Sequence, residues 1–199
     1  MKEIIKLGLV LFLVCAIAAM ALGMTNEVTK GQIADNAVIA AREARQAVYP
    51  TADDFILIAS SSAESYEAHP SADAFLKENT VVREVYKAMT SGEHVGFVIK
   101  TAPNGYGGEV GVTVGLSLDG SIQGVQVDTP NETPGLGAKA KTPDFYSQYE
   151  GLTVTSPIEV LKLEVTDENA IQSISGATIT SQAVTDGVNY GMAVIETFK

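Results

Sequence analysis

The first pattern along the chain is a block of apolar residues without polar interruption. From Leu7 to Asn26 no charged residue occurs, and Leu7–Met24 is almost wholly apolar. Twenty helical residues rising about 1.5 Å each reach roughly 30 Å, the thickness of a bilayer's hydrocarbon core. Lys2 and Lys6 precede the block and Glu27 is the first charge after it. Lys and Arg favour the cytoplasmic side, so the N-terminus is expected inside and the remainder outside. A cleaved export signal is the competing reading, because Ala19-Met20-Ala21 has the small-x-small pattern of a peptidase site. The block exceeds the usual signal core of about 7–15 residues, which favours a retained anchor. Val14 before Cys15 speaks against a lipoprotein signal. Both readings export the rest, giving a membrane anchor over 1–28 and an extracytoplasmic domain over 29–199.

Beyond the block the periodicity changes. Ile33, Ala37, Ala40, Ala41, Ala44 and Val48 recur at helical spacing, which predicts an amphipathic helix over 29–48 ended by Pro50. That helix either packs on the domain core, lies on the membrane surface or continues the span. Val81–Ala88 and Val95–Thr101 read as strands around Ser91-Gly92, and Glu109–Leu118 and Ser121–Asp128 as strands around the hairpin signal Asp119-Gly120. Asp144–Tyr149 reads as a short helix and Ile158–Val165 as a further strand. The segment from Ile179 to Phe198 places Val184, Val188, Met192 and Ile195 on one face of a closing helix. The expected class is α+β: a mostly antiparallel sheet with flanking helices, preceded by one N-terminal transmembrane helix.

Composition narrows the chemistry. Acidic residues outnumber basic ones 24 to 13 in 199 residues. Removing the two lysines and one glutamate of residues 1–24 leaves 23 acidic against 11 basic, a charge of −12 on the exported part. Such a surface repels phosphate backbones, so nucleic acid is not an expected partner. One cysteine excludes a disulfide framework, a thiolate zinc site and a protein-ligated iron–sulfur cluster. His69 and His94 stand alone, so no metal site and no haem is expected. No nucleophile–base pair suggests an independent enzyme, and no catalytic residue is assigned.

Three glycine-rich passages remain. Asn104-Gly105-Tyr106-Gly107-Gly108 joins two strands, and turn formation alone accounts for its glycines. Glu132-Thr133-Pro134-Gly135-Leu136-Gly137-Ala138-Lys139 matches G-x-G-x-x-A through Gly135, Gly137 and Ala140, but Thr133-Pro134 separates it from a strand, unlike a dinucleotide fold. It describes a rigid loop whose backbone can approach a flat ligand, with Lys139 beside it. Ser173-Ile174-Ser175-Gly176-Ala177-Thr178-Ile179-Thr180-Ser181 supplies more hydroxyls than a helix cap needs. A helix N-terminus attracts phosphate, and a neighbouring hydroxyl could be esterified by it.

Ser175-Gly176-Ala177-Thr178 resembles the S-G-A-T motif of the FMN-binding domain family, found in the G subunit of Rnf electron-transport complexes and the C subunit of sodium-pumping NADH:quinone reductases. Glu132–Gly137 is similar to that family's E-T-P-G-L-G loop and Gly105–Gly108 to its glycine-rich hairpin, so the resemblance covers essentially the whole chain. It implies FMN held covalently by a phosphoester to Thr178, attached by a flavin transferase. Contacts are expected from Ser175, Gly176, Ala177, Thr180, Glu132, Thr133, Leu136, Gly137 and Lys139. Three positions before the serine the family pattern is usually acidic; here it is Gln172. The implied role is an electron carrier between redox subunits of a membrane complex that links ferredoxin and NAD to ion movement, and only within that complex is the chain part of an enzyme, a translocase. Membrane lipid, the other subunits and, for the acidic surface, a basic extracytoplasmic cytochrome are the expected partners. A positive Lys139 near flavin N1 favours the reduced anion, so Lys139→Gln is expected to lower the midpoint potential. The C subunit of the quinone reductase, typically longer, is the nearer alternative. A non-redox tethered binding module is the more distant one, and it leaves the hydroxyl cluster unexplained.

Overall fold

The computed structural model describes residues 2–62, 69–163, 165 and 169–199. The chain divides into two compact units, Met1–Glu43 and Ala44–Lys199. The first helix, α1 (Lys2–Val48), supplies the first unit and contributes its last turn to the second. Within the first unit the apolar side chains from Ile4 to Ile39 are exposed, and the helix is long and apolar enough to cross a membrane. Thr25 and Thr29 donate their hydroxyls to the carbonyls of Ala21 and Thr25, both at 2.9 Å. These back-bonds satisfy polar side chains where the apolar block ends. The anchor and the amphipathic segment expected over 29–48 form this one helix. Ile33, Ala37 and Ala40 are exposed and Val48 is buried.

The second unit is built on a five-stranded antiparallel meander, β1 (Asp54–Ser60), β2 (Val82–Thr90), β3 (Glu93–Thr101), β4 (Gly111–Ser117) and β5 (Ile122–Asp128), in that spatial order. The strands β2 to β5 fall where alternation predicts them. Their turns are made by Ser91-Gly92 and Asp119-Gly120, with positive φ at Ser91, Gly92 and Gly120, as hairpins of this hand require. The strand β1 is an addition. Phe55-Ile56-Leu57-Ile58 is a continuous apolar run without a two-residue period, so nothing in its spacing marks it as an edge strand. Helix α2 (Ala72–Glu78) packs near β1. After β5 come a 3₁₀ turn (Gly137–Lys141), the short helix α3 (Pro143–Tyr146) with a further turn (Ser147–Tyr149), and a two-stranded parallel pair, β6 (Glu159–Leu161) and β7 (Ala170–Gln172). The strand expected over 158–165 is thus shorter, and its residue Glu164 lies outside the described residues.

The closing helix α4 (Thr178–Phe198) lies on the sheet. Val184, Val188, Val194 and Phe198 are buried, while Met192 and Ile195 pack at the margin of the core. The close approach is set by Gly187 and Gly191: a β-carbon at Gly187 would stand 2.7 Å from Thr101 Oγ1, and one at Gly191 would overlap the Leu116 side chain. A second, smaller core gathers Val48, Tyr49, Ala52, Ala88 and Val98. Here Gly96, Gly115 and Gly124 form a trough. A β-carbon at Gly115 would overlap the Val48 carbonyl, and one at Gly124 would lie 3.1 Å from Val48 Cα. Tyr49 donates its hydroxyl to Val95 O at 2.9 Å. Arg45 stacks over the Tyr86 ring, 4.5 Å from its centroid, and Tyr86 donates to Glu84 Oε2 at 3.0 Å.

Candidate functional site

The three glycine-rich passages, separated by up to about seventy positions, meet at one cleft. It encloses about 580 Å³ and is lined by Tyr106, Glu132, Thr133, Leu136, Gly137, Gly176, Ala177, Thr178, Ile179 and Thr180. That volume lies within the range of ligand and cofactor sites, about 300–1,000 Å³.

Glu132 ties the passages together. It is 7% exposed, and its Oε1 accepts the N–H groups of Tyr106 at 2.8 Å and Gly107 at 3.1 Å. A carboxylate suits this place because an ionised acceptor forms the stronger bond to a backbone donor. The fit is close on both sides. A β-carbon at Gly105 would overlap Glu132 Oε1 and stand 2.7 Å from Val110, while one at Gly137 would overlap Glu132 Oε2 and stand 2.7 Å from Thr180 Oγ1. The loop itself is folded by nested turns, with Leu136 N–H and Ala138 N–H both donating to Thr133 O at 3.1 and 3.3 Å. Gly135 and Gly176 adopt φ of +80° and +77°, a conformation open to glycine at little cost. Gly176 also faces Leu136: a β-carbon there would sit 3.2 Å from Leu136 Cδ2.

The surplus of hydroxyls at the start of α4 resolves into separate tasks. Ser181 is fully buried; its Oγ accepts Ile174 N–H at 2.9 Å and donates to Ala177 O at 3.0 Å. It staples the loop before the helix to the helix's first turn. Thr185 donates to Ser181 O at 3.0 Å and bonds the Tyr149 hydroxyl at 2.7 Å, deep in the core. Burial pushes the Tyr149 phenol well above its ordinary value. Thr180 is 1% exposed, against Glu132 and Gly137. Thr178 is half-buried and lines the cleft.

The N-cap position, Ala177, offers no side-chain hydrogen bond. Helix geometry leaves the N–H groups of Thr178, Ile179 and Thr180 without intrahelical acceptors, so the positive end of α4 stands at Thr178. Tyr106, Leu136 and Ile179 rim the cleft at 74%, 44% and 57% exposure, an apolar border to a polar floor.

Two expected contacts lie elsewhere. Ser175 is exposed and is not among the lining residues. Lys139, on the 3₁₀ turn, lines an adjoining depression with Thr142, Asp144, Phe145, Gln148, Gln172, Ser173 and Ile174. In that depression Gln148 holds the strand leading into the hydroxyl-rich loop: its Oε1 accepts Gln172 N–H at 2.8 Å and its Nε2 donates to Gln172 O at 3.3 Å. Neither Gln148 nor the structural duty of Ser181 is signalled by spacing. Both depend on contacts that only the fold creates.

A cleft of this size, with an apolar rim and opened by a helix N-terminus without a side-chain cap, suits a flat ring carrying a phosphate. The FMN-binding domain family matches residues 105–193, which contain the whole cleft. Solved structures share the fold: the C subunit of the Na⁺-translocating NADH-quinone reductase from Parabacteroides distasonis superposes with a TM-score of 0.55 at 22% identity, over 74% of this chain and 79% of that one. NqrC from Shewanella oneidensis gives 0.54 at 17% identity, over 77% and 92%. Among sequences, the G subunit of the Na⁺-translocating ferredoxin:NAD⁺ oxidoreductase complex from Acetobacterium woodii is 41% identical, covering 98% of this chain and 93% of that protein. The G subunit of the ion-translocating oxidoreductase complex from Methanosarcina acetivorans is 32% identical, over 94% and 92%. The chain belongs to this family, the G subunits of Rnf-type ion-translocating oxidoreductase complexes.

Proposed function

We propose that this chain carries electrons between redox subunits of an Rnf-type membrane complex, through FMN joined by a phosphoester to Thr178 Oγ1. The observation that carries the reading is the placement of Thr178: half-buried, lining the cleft, at the uncapped N-terminus of α4. Its neighbour Thr180, the other hydroxyl lining the cleft at the start of α4, is 1% exposed and therefore closed to a modifying enzyme.

Bound there, the flavin supplies reversible two-electron chemistry that the side chains themselves lack. The chain's own residues hold and orient it. The N–H groups of Thr178, Ile179 and Thr180 face the phosphodiester charge, and Leu136 and Tyr106 at the rim shield the ring from water. A covalent seat is consistent with a domain placed outside the membrane over residues 29–199, where a dissociated cofactor is lost. A flavin transferase is the maturation partner, and the acidic surface suits a basic cytochrome-like donor or acceptor. The 41% identity with the G subunit of a ferredoxin:NAD⁺ oxidoreductase, against 22% with the C subunit of a quinone reductase, favours the Rnf assignment.

The test is in-gel fluorescence. The full chain, made together with a flavin transferase, is expected to fluoresce under ultraviolet light after denaturing electrophoresis, and Thr178→Val is expected to be dark while its circular dichroism is unchanged. A fluorescent Thr178→Val variant refutes the assignment of the hydroxyl. A dark wild-type chain refutes covalent flavin.

A further inference from the structure

We infer that Glu132 sets the reduction potential of the flavin held in this cleft, lowering it by placing a fixed negative charge beside the ring. The inference rests on the FMN reading above.

Among the ten residues that line the cleft, Glu132 is the one carboxylic acid, and no lysine, arginine or histidine is among them. Glu132 is 7% exposed, so its charge is screened by little water. Among the described residues no cation pairs with it. The ion pairs found among the described residues are Glu27–Lys30 and Arg83–Glu109, and neither reaches the cleft. Every element packed against Glu132 gives the same answer. The hairpin 103–110 carries Glu109, held by Arg83 at 2.7 Å. The 3₁₀ turn carries Lys139 and Lys141, but Lys139 lines a depression shared with Asp144, and Lys141 one shared with Glu150. The first turn of α4 contributes no charged side chain, and Asp186 further along accepts from Gln182 Nε2 at 2.8 Å. The first turn of α4 also borders the carboxylate, since one β-carbon at Gly137 would touch both Glu132 Oε2 and Thr180 Oγ1, so the positive helix end is shared between Glu132 and the phosphodiester.

The chemistry then follows from charge balance. Reduction adds two electrons to the ring. With one proton the product is an anion, and with two it is neutral. A carboxylate beside the ring disfavours the anion, so it lowers the potential and holds the second proton to higher pH. Lys139 is the tuning charge expected from the sequence; it lines the adjoining depression, whereas Glu132 lines the cleft itself.

Glu132→Gln separates charge from support. The amide keeps an oxygen that can accept the Tyr106 and Gly107 N–H groups, and it loses the charge. In the full, FMN-loaded chain, spectroelectrochemistry is expected to show the reduced-to-oxidised ratio of Glu132→Gln raised at least tenfold at fixed potential. For a two-electron couple that is an upward shift of about 30 mV. In the wild type, the pH at which the potential changes slope is expected to lie above that of free FMN titrated in the same buffer. A loaded Glu132→Gln chain whose potential is unchanged or lower overturns the inference and leaves the FMN reading intact, as does a wild-type slope change at or below that of free FMN. If Glu132→Gln fails to take up flavin, the wild-type slope decides alone. A purely structural latch predicts a lower Tm for Glu132→Ala and no shift in potential for Glu132→Gln. A wild-type chain that carries no flavin removes both readings together.

Discussion

Gly137→Ala tests how tightly the cleft is built around Glu132. Gly137 is absent from the positions with positive φ, so alanine is conformationally acceptable there and the effect is steric. The new methyl would overlap Glu132 Oε2, and would stand 2.7 Å from Thr180 Oγ1 and 2.8 Å from Glu132 Cδ. Glu132 cannot swing away freely, because its Oε1 holds the Tyr106 and Gly107 N–H groups. Hydrogen bonds to a charged group contribute about 1.5–3 kcal/mol each, and overpacking a filled site costs about 1–3 kcal/mol. Either route predicts a loss of about 3 kcal/mol. For a domain of this size that corresponds to a Tm lower by about 6–12 °C. Thermal melting of the full chain in detergent, followed by near-ultraviolet circular dichroism, measures it. Gly135→Ala is the control: its φ is +80° with nothing within 4 Å, so it carries backbone strain of about 1–2 kcal/mol and no clash. The coupling is the sharper test. In a Glu132→Ala background the methyl enters vacated space, so the glycine substitution is expected to cost at least about 1 kcal/mol less than in the wild type. Additive costs, or an unchanged Tm for Gly137→Ala, refute the reasoning.

Two further outcomes follow from the second core. Gly115→Ala drives a methyl into the Val48 carbonyl, which as backbone cannot rotate away, and is expected to lower stability by about 1–3 kcal/mol, read as a lower urea midpoint at constant slope. Burial first, and then the neighbouring Glu84 carboxylate, push the Tyr86 phenol from 10.0 up to about 12. A phenol raised on folding contributes stability that is complete below pH 10 and lost as pH rises through about 12. Tyr86→Phe is therefore expected to flatten the alkaline fall in Tm over that window, and an unaltered profile would count against it.

Much of the sheet is legible in the chain because its strands alternate and its turns carry Ser91-Gly92 and Asp119-Gly120. The strand β1 is not, since a continuous apolar run has no period to read. The last helix is legible, but its buried stripe includes Gly187 and Gly191, which hydropathy does not count as apolar contacts. At the site, Thr178 and the loop around Gly135–Gly137 can be found from motif spacing. The duty of Glu132 cannot, because its partners lie 25 and 26 residues away on another hairpin. Lys139 looks adjacent in sequence, yet the 3₁₀ turn carries it to a different depression. Ser181 and Thr180 look interchangeable with Thr178 until burial sets the half-buried Thr178 apart from the other two.

The trough formed by Gly96, Gly115 and Gly124 has an evolutionary consequence. What rests in it is the main chain at Val48 and the ring of Tyr49, so the clearance is fixed by missing β-carbons and hardly by the identity of residue 48. Selection at the two partners is therefore unequal. The helix end is free to drift among apolar residues, while the three glycines are held together as a set, because one added methyl lifts the passenger from all three. In an alignment of such chains, the invariant record of this junction is expected in the sheet and the variable one in the segment it receives.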